Sequence, residues 1–233
     1  MQPSIPKMSL AVLLLTSVIL TACVSDGGGG GGPSVLTIDE NGNSSFSSTV
    51  LGTTLAALPS EPLNTTELES LAYMREEEKL ARDVYAYFDA PYGYVNVFGN
   101  ISVSEATHTE AVRQLLLRYS LPDPAESRVA GKFSNPTLQG LYDQLIARGS
   151  PTVVDALQVG AAIEEIDIMD IQTALINVDN QDIRLIYDNL LKGSRNHLRA
   201  FVKSLGQAGV AYGPQYLDRT EYDAIIGSPI ERG

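Results

Sequence analysis

The sequence predicts an all-α fold, a bundle of four long helices with one long crossover between the second and third. Three observations carry that expectation. Four stretches repeat apolar residues three and four apart, the period of a helix with one buried face. The link between the second and third stretches covers residues 120–149, whereas only a few residues separate the third from the fourth. That spacing is what a bundle with a single long return needs. Finally, each apolar stripe is interrupted by an acid or a histidine.

The N-terminal part is set aside first. "MQPSIPKMSLAVLLLTSVILTAC" has one basic residue, Lys7, then an apolar run from Leu10 to Leu20, then small residues. This is a secretory signal pattern, and the run is too short for an ordinary transmembrane helix. Leu20, Thr21, Ala22 and Cys23 resemble the bacterial lipobox. Residues 1–22 therefore read as a lipoprotein signal peptide and Cys23 as the lipidated mature N-terminus. A plain signal peptide with a coincidental cysteine is the competing reading. Cys23 is the single cysteine, which excludes an intramolecular disulfide. Gly27 to Gly32 form a flexible run, and residues 33–62 are rich in Ser, Thr, Gly and Asn. Asn41-Gly42 is a hairpin signal within that stretch. The expected organisation is a tether over 23–62 and a helical domain over 63–233, ordered from near Asn64. Its partner would be a membrane, through the lipid anchor, and its place the bacterial cell envelope, facing the periplasm or exterior.

Composition narrows the rest. The chain has 233 residues, 44% of them hydrophobic, enough to pack a core. Its net charge is −12 and no Lys/Arg cluster is present, which argues against nucleic acid as a partner.

The first helix starts near "NTTELESLAYM", where Thr66 and Glu69 have capping-box spacing. Its stripe is Leu71, Met74, Glu78, Ala81, Tyr85 and Phe88; Glu77 falls on a neighbouring stripe with Tyr73, Leu80, Val84 and Tyr87. The second runs from Ser102 to Tyr119, with Ile101, Glu105, His108, Val112, Leu115 and Tyr119 in line. "TLQGLYDQLIARG" predicts a short helix within the crossover. The third opens at Ser150 as cap and Pro151 at the first position. Its stripe reads Val154, Leu157, Ala161, Glu164, Ile168, Ile171 and Leu175, with Asp167 one turn beyond Glu164. The fourth, Asn180 to Leu205, carries Ile183, Tyr187, Leu190, Ser194, His197 and Phe201.

A carboxylate is costly to bury unless it is paired or binds a metal. Singly, each polar residue has a plain reading. Glu105 could close a capping box with Ser102. His108 and His197 could be hydrogen-bonded core histidines. Glu76, Glu77 and Glu78 could form a solvated charge run with Lys79 and Arg82. Jointly, Glu78, Glu105, His108, Glu164 and His197 come one or two per helix and predict a shared site. Carboxylates with imidazoles in a bundle core suit iron or manganese better than zinc or copper.

"EEEKLARDVY", "SEATHTEAV", "VGAAIEEIDIMDI" and "GSRNHLRAF" resemble the DUF2202 family, an uncharacterised branch of the ferritin-like superfamily. The resemblance covers Leu68 to Ile226, with the four segments in the expected order. It implies a ferritin-like four-helix bundle. It also implies two metals, held by Glu, Glu-x-x-His, Glu and Glu-x-x-His from successive helices. Glu78 fits the first position, with Glu77 its alternative. Glu105 and His108 fit the second, Glu164 the third, and His197 the histidine of the fourth. Tyr85 fits a tyrosine often found beside such sites. Ser194 stands where the last glutamate is expected; Asp167 is the candidate replacement, and one metal or none are the other outcomes. The function this implies is a membrane-tethered ferritin-like metal-binding protein, its catalytic form a di-iron or di-manganese oxidoreductase acting on iron or dioxygen. The alternative is a non-catalytic helical envelope lipoprotein with a degenerate site that binds a partner.

Overall fold

The computed structural model describes residues 34–127 and 129–233; the predicted signal peptide, Cys23 and the glycine run lie outside them. A small hairpin, β1 (Leu36–Ile38) and β2 (Ser44–Phe46), leads into α1 (Ser48–Ala57). Four long helices follow: α2 (Thr65–Tyr92), α3 (Val97–Arg118), α5 (Val153–Leu175) and α6 (Gln181–Gln207). The shorter α4 (Pro136–Gly149) lies within the crossover, and α7 (Arg219–Gly227) near the C-terminus. The regular structure of the described residues is thus almost wholly helical, and none of their helices is long and apolar enough to cross a membrane.

Cross-helix pairs fix the helix directions. Arg75 of α2 meets Thr109 of α3, and Arg82 meets Ser102, so these two run antiparallel. Tyr85 of α2 meets Glu164 of α5, while Tyr73 meets Asp170, again antiparallel. Consequently α3 and α5 point the same way. Residues 119–152 must travel the length of the helices to join them, which is why this link is long.

The local starts differ from the sequence expectation in three places. α2 is capped by Asn64, not Thr66: the Asn64 side chain accepts from Glu67 N–H at 2.9 Å, and Glu67 accepts from Asn64 N–H at 3.0 Å. Glu67 also accepts from the N–H groups of Asp179 and Asn180, tying the start of α2 to that of α6. α3 begins at Val97, so Ser102 and Glu105 are not a capping box and Glu105 sits within the helix. α5 is capped by Thr152, which accepts from Asp155 N–H at 3.1 Å, not by Ser150.

The described part of the expected tether over 23–62 does not behave as a tether from Leu36 to Leu55. Leu36, Phe46, Leu51 and Leu55 are buried against Leu71, Val112 and Leu115, so the hairpin and α1 belong to the folded body. The apolar positions were there, but Ser, Thr and Gly around them diluted the periodicity. The turn is a five-residue loop organised by Asp39, which accepts from the N–H groups of Asn41 and Asn43, with Gly42 at φ +86°.

Two apolar clusters fill the core. One contains Val84, Tyr85, Phe88, Phe98 and Phe201; the other contains Leu71, Met74, Leu115, Ile183 and Leu190. Between them along each long helix lie the polar residues that the stripes singled out.

Candidate metal centre

Glu105 is the hub. Its Oε2 lies 2.9 Å from His108 Nδ1 and its Oε1 lies 2.7 Å from His197 Nδ1. Glu78 Oε2 approaches His108 Nδ1 at 3.3 Å, and Glu164 Oε2 approaches His197 Nδ1 at 3.6 Å. The two imidazoles stack, ring centres 5.3 Å apart and 17° from parallel. Donor atoms of Glu105, His108 and His197 lie within 4.8 Å of one another, a grouping able to hold a metal ion. All five residues are buried.

The directions matter as much as the distances. Neither Nδ1 makes an aligned hydrogen bond, and both carboxylate oxygens of Glu78 are unpartnered. Buried polar groups are nearly always satisfied, so orphans on facing side chains need a reason. Close donor atoms that make no aligned hydrogen bond to one another leave their lone pairs available to a cation between them.

Asp167 reaches the same cluster from α5. Its Oδ2 accepts from Ser194 Oγ, and its Oδ1 is unpartnered. Ser194, one turn before His197, thus presents a hydroxyl that orients the carboxylate of Asp167. Tyr85 donates to Glu164 Oε1 at 2.6 Å. The structure therefore brings Glu78, Glu105, His108, Glu164, His197 and Asp167 together, with Tyr85 and Ser194 beside them. Cys23 lies outside the described residues.

Electrostatics follow from burial and crowding. Burial drives the Glu78 carboxyl up to about 8, against the pull of His108 and with the push of Glu105. Burial also raises Asp167 well above the usual range, with Glu78, Glu164 and Glu105 adding to it. Glu164 is raised chiefly by burial. Burial would raise Glu105 too, but the two imidazoles override it and hold it well below. Conversely, burial would lower both histidines, yet the Glu105 charge prevails, lifting His197 to about 9 and His108 well above its usual value.

Two other buried acids, Glu76 and Glu165, are structural. Glu76 accepts from Ser134 and Asn135 N–H, at 2.5 and 2.8 Å. Glu165 accepts from the N–H groups of Gln215, Tyr216 and Leu217 and from Tyr212 Oη. Lys79 is buried against Asp83 at 2.7 Å. The run 76–79 is therefore not a solvated charge run: each member has its own buried surroundings.

Sequence reasoning missed Ser44. Its Oγ lies 2.7 Å from His108 Nε2 and 3.0 Å from His197 Nε2. The alternation of β2 turns Ser44 and Phe46 inward, and Phe46 meets His108 edge-on. Two α3 hydroxyls dock the strand: Ser44 N–H donates to Ser104 Oγ and Phe46 N–H to Thr107 Oγ1, both at 3.1 Å. "SEATHTEAV" thus alternates site residues with anchors for the hairpin. Gly193 makes room: a Cβ there would lie 2.5 Å from His108 Cε1 and 3.1 Å from Ser44 Oγ. No sequence signal links a serine in a Ser-rich stretch to histidines 64 and 153 positions away.

Residues 67–229 match the model of a family described as "Uncharacterized protein domain (DUF2202)". An uncharacterized protein of Methanocaldococcus jannaschii, MJ0754, is 48% identical over 179 residues, which is 77% of this chain and 96% of the relative. The crystal structure of hypothetical protein MJ0754 from Methanococcus jannaschii is similar with a TM-score of 0.73, covering 75% of this chain and 99% of that one.

Proposed function

This chain belongs to the DUF2202 family, and we propose that it is a ferritin-like metal-binding protein whose buried carboxylate–histidine centre holds iron or manganese. One observation carries the reading: both histidines turn unpartnered Nδ1 atoms toward carboxylates, one of which, Glu78, has no donor at either oxygen. Four carboxylates, Glu78, Glu105, Glu164 and Asp167, with two neutral imidazoles would balance two divalent cations. Oxygen-rich sites with imidazole suit iron and manganese. The up-down-down-up course of the long helices supports the ferritin-like reading.

In this reading Glu105, His108 and His197 would hold the metal, with Glu78 and Glu164 beside them as further carboxylate ligands. Asp167, oriented by Ser194, supplies the carboxylate that the fourth helix lacks. Tyr85 holds Glu164 through one oxygen and leaves Oε2 turned to His197. Ser44 holds both imidazoles through Nε2. A bound iron or manganese would supply redox and Lewis-acid chemistry, and action on iron or dioxygen is the proposed oxidoreductase activity. The chain's own part is to exclude bulk water and to release the protons on Glu78 and the histidines as cations bind.

The second reading, a non-catalytic envelope lipoprotein with a degenerate site that binds a partner, draws on Ser194 replacing a glutamate. The Ser194–Asp167 bond weighs against it. Elemental analysis of the full chain from iron- and manganese-supplemented culture decides: about one to two metals per chain supports the centre, and none overturns it. We further propose the envelope location through a lipid on Cys23. Cys23→Ser should abolish partition into detergent, and partition retained after correct processing would refute the anchor.

A further inference from the structure

We propose that a second divalent-cation position lies outside the histidine centre, between α2 and α5 at Glu77 and Asp170, and that it passes cations inward through Asp167. The proposal rests on the metal-binding reading above. Asp170, Asp167 and Glu164 follow one another at three-residue spacing, so they form one strip along α5. Glu164 ends that strip inside, against Tyr85 and His197. Asp170 begins it outside: it is half-buried, and Tyr73, also half-buried, donates to its Oδ2 at 3.1 Å. Tyr73 and Glu77 are one turn apart on α2 and face the same strip.

Glu77 is the independent observation. It is only 4% exposed, and neither of its oxygens has a partner. Its immediate neighbours on α2 differ: Glu76 is satisfied by two backbone N–H groups, while Glu78 faces His108. Glu77 faces the carboxylates of Asp170 and Asp167. Among the described residues no Lys or Arg forms an ion pair with Glu77, Asp167 or Asp170. Facing carboxylates without a counter-charge must share a proton or a cation. A divalent cation fits, because Asp167 Oδ1 remains free on the inner side to take it next.

A lining of one charge sign raises the arrival rate of counter-ions by about 10–10³-fold. Loading of Co²⁺ into the full chain, followed by its visible absorption in stopped flow, tests the path. Glu77→Gln and Asp170→Asn should each slow loading about tenfold or more, the low end of that range, with the final amplitude kept. Raising the salt should slow the wild type more than either variant. Wild-type loading matched in rate by both variants overturns the path while leaving the histidine centre standing. A lower final amplitude at unchanged rate in Glu77→Gln also overturns it, making Glu77 a ligand of the centre itself. A wild type that takes up no Co²⁺ removes both the centre and the path.

Discussion

Ser44→Ala isolates the contribution of the hairpin. The substitution removes one hydroxyl and leaves the docking bonds of the strand intact, because those use the backbone N–H groups of Ser44 and Phe46. Two buried imidazole nitrogens, now 2.7 and 3.0 Å from Ser44 Oγ, lose their partner together. Each buried donor left unsatisfied costs about 1–3 kcal/mol, so the loss should be about 2–6 kcal/mol. For a folded body of this size that lowers the melting temperature by about 5–20 °C. Thermal denaturation of the metal-free full chain measures this. Ser45→Ala, on the exposed face of the same strand, is the control and should change nothing. Metal affinity should fall about 10–100-fold, the usual cost of losing a group that orients a ligand. A Ser44→Ala chain that melts with the wild type and binds metal equally would refute the assignment of Ser44 to the centre.

Three further outcomes follow from the same geometry. Glu78 keeps its proton to about 8 and His197 to about 9, both above their unfolded values, so each favours the folded state at low pH and loses that favour as pH rises. Melting of the metal-free chain should therefore fall from about pH 5 to pH 9, while Mn²⁺ affinity rises over the same range as protons leave; a flat profile contradicts the assignment. Glu105 acts oppositely, its contribution present above its unfolded value and lost on acidification. Asp167→Asn should lower metal occupancy and barely affect melting, because it removes a carboxylate with one free oxygen; Glu165→Gln should do the reverse, because it disturbs an acceptor for three backbone N–H groups. Equal metal content in wild type and Asp167→Asn would rule out Asp167 as the replacement ligand. Gly193→Ala should cost about 1–3 kcal/mol by overpacking, visible in denaturant melts, and should weaken metal binding by shifting His108 or Ser44.

The long helices and their polar interruptions were legible because burial imprints a 3.6-residue period on the sequence. That period carried Glu78, Glu105, His108, Glu164 and His197 to one place. Helix starts were less legible, because caps compete locally and distant bonds decide: Asn64 and Glu67 win over Thr66 and Glu69 since Glu67 also serves Asp179 and Asn180. The hairpin showed at Asn41-Gly42, but its contact with the histidines was hidden for a different reason. Three-residue strands carry at most one and a half alternations, and the inward residue that matters is a serine. Periodicity finds apolar faces; it cannot find a polar group turned inward on purpose.

That limit bears on the buried acids as well. Ten carboxylates of the long helices are buried, Glu67, Glu76, Glu77, Glu78, Asp83, Glu105, Glu164, Glu165, Asp167 and Asp182, and the sequence treats them alike. Their partners separate them. Glu67, Glu76 and Glu165 are met by backbone N–H groups at helix starts and loops, where each carboxylate joins segments that apolar contacts alone leave unpinned. An unpaired buried charge costs several kcal/mol, so a group satisfied in this way contributes to the fold. Glu77, Glu78 and Asp167 retain oxygens with no donor. Such groups weigh against folding in the absence of a cation. The stability they withhold would be returned when one binds, in proportion to its concentration over its dissociation constant. Melting should therefore rise steeply with added Mn²⁺ in the wild type. Substituting Glu105 by Gln should flatten that rise, because the one carboxylate that touches both histidines is gone. An equal rise in both would place the bound cation away from the histidines.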